Sequence, residues 1–580
     1  MLHNKKLFLS VLSIVTLLAF ALTPLAVLAE DPPEEVPIEE PVAEPVAEPA
    51  EEPIGEPVEE AVEAPIEAPI EEPVGEAVEE PETTDDSVEQ PIEDPIEEPA
   101  EETVADEPAA VDPAAVPAGV SESALGSDSM THNTSWAFQN LGSATANVSV
   151  DFYNTAGANI ASDSFSVANS ASFWAPTYAP LGAASFNGAI VASSDQMLAA
   201  ISNQVAVNNV SGRTNNATYR GFSDGDVAPT MYAPVLMKDY AGFYFTEMSV
   251  QNAGSSDVTA NVTYYNEDGT TVGTVAHTVK ANSPTRIAQS AEAILPAGWI
   301  GSARVASAGG TTPLAVVVNE YVGSPGLLYN QFYSYEGFAA GATTVYVPVL
   351  FINGYGGWNA SVAVQNLGGA AATTVWSFYD TTPGNPNPGT VIHTENVNIP
   401  TSKAVYFPNA SYATTLKNAY LPGDNAWVGM LKITSSQPLV AIANELYGSN
   451  LAGSNVGVSQ GATVLNYPLA FDKAYGYANT SFAISDVSGT AGAVNVTVAY
   501  TPDLTQCPLC GPWSDTYSFT NNDSKYQPDH IPASAKSSGV YVGSIKITVN
   551  TAGKTINGVM NELLGGDGQD NFTSFNGFTP

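Results

Sequence analysis

Basic residues are scarce in this chain. Across 580 residues, 16 Lys and Arg stand against 61 Asp and Glu, a formal net charge of −45. No basic stripe exists that could neutralise phosphates, which excludes nucleic acid as a partner. Cysteine is nearly absent: with two residues, no disulfide framework and no multi-cysteine metal site can hold the fold. Histidine numbers five, at His3, His132, His277, His393 and His530. They show neither a Ser-His-Asp arrangement nor metal-ligand spacing, so hydrolase and metalloenzyme readings have no residues to start from. His277 (VAHTV) and His393 (VIHTE) fall in corresponding strands of a repeat. Helical periodicity is missing too, and an apolar run long enough to cross a bilayer occurs once, at the N-terminus.

That run reads as an export signal over residues 1–29. MLHNKK supplies the positive start, LFLSVLSIVTLLAFAL the apolar stretch, and Val27-Leu28-Ala29 a small-residue cleavage site. Left uncut, it would be the chain's one link to a membrane. The expected location is therefore extracellular, secreted or on the cell surface.

The acidity is concentrated. Between Glu30 and Ala118 lie 33 of the 61 acidic residues and no Lys or Arg. Most of this stretch is a four-residue repeat, PVAE-PVAE-PAEE-PIGE onward from Pro41, resuming as PIED-PIEE. Proline at this frequency forbids a helix and restricts the residue before it to extended geometry. Like charges repel along it. Residues 30–119 are thus expected to form a disordered, acidic spacer.

From residue 120 the composition turns to Ser, Thr, Val, Asn, Gly and aromatics, and the chain repeats itself about every 115 residues. AFQNLGS, SVQNAGS, AVQNLGG and AISDVSG place Asn140, Asn252, Asn366 and Asp486 in register. Later come a Gly-centred strand (GWIGSARVAS, AWVGMLKITSS, VYVGSIKITV), an Asn-Glu strand and a closing Gly-Phe or Gly-Val. TMYAPVL, TVYVPVL and TVLNYPL open copies two to four, each with a proline that suits a sheet edge; copy one has no clear counterpart. Val258, Ala260, Val262 and Tyr264 alternate with polar neighbours, the period of a half-buried strand. The reading is all-β: four tandem immunoglobulin-like β-sandwich copies at 120–228, 229–343, 344–462 and 463–580, joined as a rod.

The QNLG landmark followed by an alternating strand such as ANVTYYNEDG resembles the immunoglobulin-like repeats of bacterial surface proteins, including CARDB-type adhesion-related domains. The resemblance spans residues 120–580 and implies a surface-exposed role without catalysis.

Asn319-Glu320, Asn444-Glu445 and Asn561-Glu562 each end an apolar strand, as the acid of many β/α-barrel glycosidases does. Those enzymes need two carboxylates at a set separation. Here the pair recurs with the repeat and no helices accompany it. The expectation is structural: Asn and Glu bonding the turn after the strand. Cys507 and Cys510, in TQCPLCGPW, are expected to form a small disulfide in an exported chain. No resident cofactor is implied. Calcium is the one ion the acidic loops could hold, at Asp224 and Asp226 in SDGD and at Asp567 and Asp570 in GGDGQDN. Trp136, Trp358 and Trp513 are candidates for stacking on sugar rings. The expected role is a non-enzymatic structural or adhesive surface protein, meeting other surface proteins, itself or glycans; the alternative is a carbohydrate-binding module protein.

Overall fold

A computed structural model describes residues 130–175, 186–208, 214–323, 331–381, 389–408, 416, 426–448, 451–564 and 572–580. The signal and the acidic spacer lie outside these residues. The described part is all-β.

Copy one contains β1 (Met130–Asn140), β2 (Ala146–Asn154), β3 (Asn159–Val167), β4 (Ser172–Ala175), β5 (Gly188–Ser194), β6 (Leu198–Asn208) and β7 (Thr214–Arg220). Copy two contains β8 (Thr230–Lys238), β9 (Tyr244–Asn252), β10 (Val258–Asn266), β11 (Thr271–Val279), β12 (Pro284–Ala288), β13 (Trp299–Ser307), β14 (Leu314–Val322) and β15 (Gln331–Glu336). Copy three contains β16 (Ala342–Ile352), β17 (Trp358–Asn366), β18 (Ala372–Asp380), β19 (Thr390–Ile399), β20 (Ala404–Pro408), β21 (Trp427–Tyr447) and β22 (Leu451–Val456). Copy four contains β23 (Val464–Asp472), β24 (Asn479–Asp486), β25 (Val494–Pro502), β26 (Trp513–Phe519), β27 (Asn522–Tyr526), β28 (Tyr541–Val549), β29 (Ile556–Leu563) and β30 (Phe572–Asn576).

Each copy is two antiparallel sheets around one core. In copy two the inner sheet runs β12-β9-β14-β15 and the outer sheet β11-β10-β13-β8; copy four repeats this order. In copy three, β21 passes from one sheet into the other. Its first half pairs with β16 and β18 and its second with β17 and β22, so both sheets join. The alternation read from sequence is the burial pattern itself: Val258, Ala260, Val262 and Tyr264 are buried while their neighbours are half-exposed. Opening strands β8, β16 and β23 are sheet edges, with a shift of register beside Pro234, Pro348 and Pro468. Proline lacks the N–H a ladder needs, and a bulge at an edge absorbs that loss. The Gly-centred strands owe their glycine to close approach. A Cβ on Gly301 would sit 2.0 Å from Tyr265 O and one on Gly429 2.2 Å from Tyr379 O.

The copies do not form a rod. Strand β7 lies against β15 and β30, and β22 lies against β15 and β30, a closed circuit of the four last strands. The apolar cores cross the same junctions. Ala137, Ala199 and Ile201 of copy one pack with Leu465 and Phe471 of copy four. Ala363 and Ile442 of copy three enter the core of copy two, and Val559 of copy four packs on Val349 and Phe351 of copy three. Phe245, Tyr321 and Phe332 of copy two meet Ala206 and Ala217 of copy one. Inner sheets are therefore covered on both faces, once by their own outer sheet and once by a neighbouring copy. This is why β14, LAVVVNEYV, reads as a continuous apolar run rather than an alternating one.

His277 and His393 occupy corresponding strands, β11 and β19, but not one repeat position. His277 is opposite Ala260, whereas the residue opposite the equivalent Thr374 is Val397; His393 is opposite Phe378. The offset comes from the longer β18–β19 connection, which runs from Asp380 to Thr390 where β10–β11 runs from Asn266 to Thr271.

Candidate functional site at the ring seam

The Asn-Glu pairs sit where the copies meet. Their asparagines are opposite a hydroxyl residue on the last strand of the same copy: Asn203 opposite Thr218, Asn319 opposite Ser334, Asn444 opposite Ser454 and Asn561 opposite Ser574. In three copies that hydroxyl donates to the asparagine oxygen, Thr218 Oγ1 to Asn203 Oδ1 at 2.7 Å, Ser334 Oγ to Asn319 Oδ1 at 2.6 Å and Ser454 Oγ to Asn444 Oδ1 at 2.6 Å. With its oxygen occupied, the amide's Nδ2 is aimed across the seam. Asn444 donates to Glu320 of copy two at 3.1 Å, Asn203 to Glu562 of copy four at 3.0 Å, and Asn319 to Gln204 of copy one at 3.5 Å. Gln204 returns a bond to Asn319 Oδ1 at 3.1 Å.

The fourth junction departs from this pattern. Glu445 accepts from Asn455 of its own copy at 2.6 Å, and Asn561 Oδ1 meets no donor among the described residues. Ser574 Oγ instead donates to Ser454 O at 2.9 Å, and Asn576 exchanges side-chain bonds of 2.8 Å with the backbone of Val456.

The bonding expected of these pairs is corrected. They do not leave the strand to bond a following turn. They lie inside β14, β21 and β29, and most of their side-chain bonds reach another copy. Sequence reasoning looked for partners nearby in the chain; these partners are 115 to 359 positions away.

Glu320, Glu445 and Glu562 are completely buried. Burial pushes each carboxyl up to about 8, only partly offset by the amide that bonds it. Glu320 Oε1, Glu445 Oε2 and Glu562 Oε1 have no hydrogen-bond partner among the described residues. Burial thus favours the neutral form of each carboxyl, and each is held by one donor. Glu320 and Glu562 accept from a neighbouring copy, and Glu445 accepts from its own.

The QN landmark is explained at the same stroke. Asn140, Asn252 and Asn366 each donate Nδ2 to two carbonyls and accept from the N–H two residues on, fastening the tight loop after the strand. The glutamine before it also works between copies: Gln365 donates to Ser302 Oγ at 3.0 Å and Gln139 to Ile545 O at 3.4 Å. In copy four the asparagine is Asp486, which cannot donate. Lys554 takes over. Its buried ammonium bonds Asp486 at 2.7 Å and Thr490 O, the carbonyl equivalent to Ser256 O under Asn252. A lysine in the same copy as the asparagine-to-aspartate exchange was the signal that sequence reading passed over.

Cys507 and Cys510 are joined in a disulfide. Their loop closes the junction between copies four and one: Asp503 Oδ2 accepts from Trp174 N at 2.9 Å, and Gln506 Nε2 donates to Trp174 O at 3.2 Å. Two side chains of copy four thereby cap the open edge of β4.

Asp224 and Asp226 stay exposed, and Asp226 accepts from Ser223 N and Oγ at 3.0 and 2.6 Å, a turn closed on itself. Asp567 and Asp570 lie outside the described residues. Among the described residues no three acidic, His or Cys side chains gather as metal ligands.

Trp136 is corrected. It is 5% exposed, packed against Phe138, Phe165 and Phe173, because it faces the core between the two sheets of copy one. Trp358 is half-buried at the junction with copy four, 4.3 Å from Phe572 between ring centroids. Trp513 is half-buried and stacked on Tyr500 at 5.1 Å.

More exposed aromatics lie elsewhere. The turn after each opening strand takes one conformation in three copies, with positive φ at Asp239, Ala241 and Gly242, at Asn353, Tyr355 and Gly356, and at Lys473, Tyr475 and Gly476. Tyr355 is 60% exposed, Tyr475 49% and Tyr477 53%. Non-glycine residues in this region carry strain.

Neither a protein-family model nor a curated protein sequence matches the chain.

Proposed function

We propose that this is a non-enzymatic, exported surface protein in which a closed ring of four β-sandwich copies is displayed on an acidic spacer for a structural or adhesive role. The bond from Asn203 to Glu562 carries this reading. The motif most like a catalytic carboxylate serves to hold the last copy to the first and is sealed from solvent. A closed ring presents loops from several copies together, which suits contact with other surface proteins, with further copies or with glycans. Antibody labelling of intact cells, with N-terminal sequencing of the surface protein, tests the reading. Labelled cells and a start near Glu30 support it; protein found only inside the cell sinks it.

A second reading, glycan binding, has its own observation. Tyr355 and Tyr475 occupy the same strained turn position in two copies and keep 60% and 49% of their surface in water. An aromatic ring with an apolar face and a polar tip suits such a boundary. Glycan-array binding that is lost in a Tyr355→Ala, Tyr475→Ala double variant would favour it over simple display.

A further inference from the structure

We infer that copy one carries a strand-acceptor edge, the outward side of β5, that takes an extended proline-containing strand from another polypeptide. In copies two to four the equivalent strand is covered: β13 by β8, the first half of β21 by β16, and β28 by β23. In copy one the outer sheet runs β3-β2-β5, and no strand among the described residues pairs with the far side of β5.

Burial registers the difference position by position, counted from the strand's glycine (Gly188, Gly301, Gly429, Gly543). Two residues on, Ala303, Leu431 and Ile545 are fully buried; four residues on, so are Val305, Ile433 and Ile547. Their counterparts are Ile190, half-buried, and Ala192, exposed. Copy one therefore offers a row of core positions beside an open ladder of backbone groups.

This edge also lacks the usual guards. Exposed edges are commonly protected by charge, proline or a bulge. Strand β5 reads GAIVASS, without charge or proline, and pairs with β2 with no shift of register.

The three intramolecular occupants define the chemistry of the ligand. They share an apolar segment with a central proline: MYAPVLM, VYVPVLF and LNYPLAF. The sequence at the corresponding place in copy one does not carry this segment. At the spacing that separates β8 from β9, the residues before β1 are Ala118 to Gly126, AGVSESALG, with no proline or aromatic and with Glu122 at the middle. Addition of a strand to such an edge joins chains through main-chain hydrogen bonds, with alternate side chains giving specificity. The inference goes beyond the display reading and does not depend on it.

The test is a fluorescein-labelled peptide of residues 229–238, PTMYAPVLMK, titrated with the full chain and followed by anisotropy. Saturable one-to-one binding is expected, weakened at least tenfold by Ala192→Lys, whose exposed site leaves the core intact. A peptide N-methylated at alternate backbone nitrogens is expected not to bind, and it requires no protein variant. Absence of saturable binding overturns the inference. Equal affinity for the wild type and Ala192→Lys, or for the methylated and plain peptides, overturns it as well.

Discussion

Asn203 in the first copy donates its side-chain amide to Glu562 in the last, 3.0 Å away across 359 positions of chain. That bond closes the ring, and it belongs to a series in which each asparagine is pre-aimed by a hydroxyl on its own last strand.

Removing the donor should cost more than an ordinary surface bond. Asn203→Ala leaves a buried carboxyl without its partner, expected to destabilise by about 1–3 kcal/mol. Glu562→Gln should cost under about 1 kcal/mol, since copy one already carries Gln204 at that place. Urea unfolding midpoints check both; equal losses would show that the bond does not hold the junction.

Stability should fall as pH rises. Glu320, Glu445 and Glu562 have folded values near 8 against an ordinary 4.5, so the folded protein holds these protons more tightly than the unfolded chain. Their contribution is full below about pH 4.5 and is lost as pH climbs to about 8, each carboxyl supplying a slope of about 1.4 kcal/mol per pH unit. Denaturant midpoints at pH 5, 6.5 and 8 should decline in order. A triple Glu→Gln variant at these positions should flatten the trend; an unchanged slope would place the titrating groups elsewhere.

The Lys554–Asp486 pair replaces a single asparagine. Lys554→Met strands a buried aspartate and is expected to cost about 3–5 kcal/mol. Adding Asp486→Asn restores the residue used in the other copies and should recover most of the loss. A double-mutant cycle by thermal unfolding gives the coupling, and strictly additive effects would refute the substitution of one donor for the other.

Loss of the disulfide should be felt locally. The loop it closes is four residues long, so Cys507→Ser with Cys510→Ser is expected to cost about 2 kcal/mol. Because the same loop caps β4 through Asp503 and Gln506, the amide of Trp174 should exchange faster with solvent in that variant. Hydrogen exchange resolved to residues 172–175 is the check, and unchanged protection there would separate the disulfide from the seam.

Much of the fold was legible in the sequence because strand signals are local. Alternation in ANVTYY, the turn at Asn266 to Gly269, the edge prolines and the small residue at Gly301 each reflect contacts within a strand or to its immediate neighbour. The candidate site was legible only as a recurrence. That Asn-Glu was repeated argued for structure over catalysis, yet its bonding was misassigned to a nearby turn, and the tandem copies were read as a rod. Trp136 differs for another reason: a strand-start aromatic is buried when it falls on the face turned to its own copy's second sheet, here against Phe165 of β3.

The sequence by itself determined the four copies, their all-β character and the positions of their edge strands, since backbone preference and side-chain period act over a few residues. Only the tertiary structure decided that copy four returns to copy one, that Glu562 finds Asn203, and that no strand among the described residues pairs with the far side of β5. Those outcomes depend on which apolar faces remain to be buried once each sandwich has formed, and no short window of residues records that.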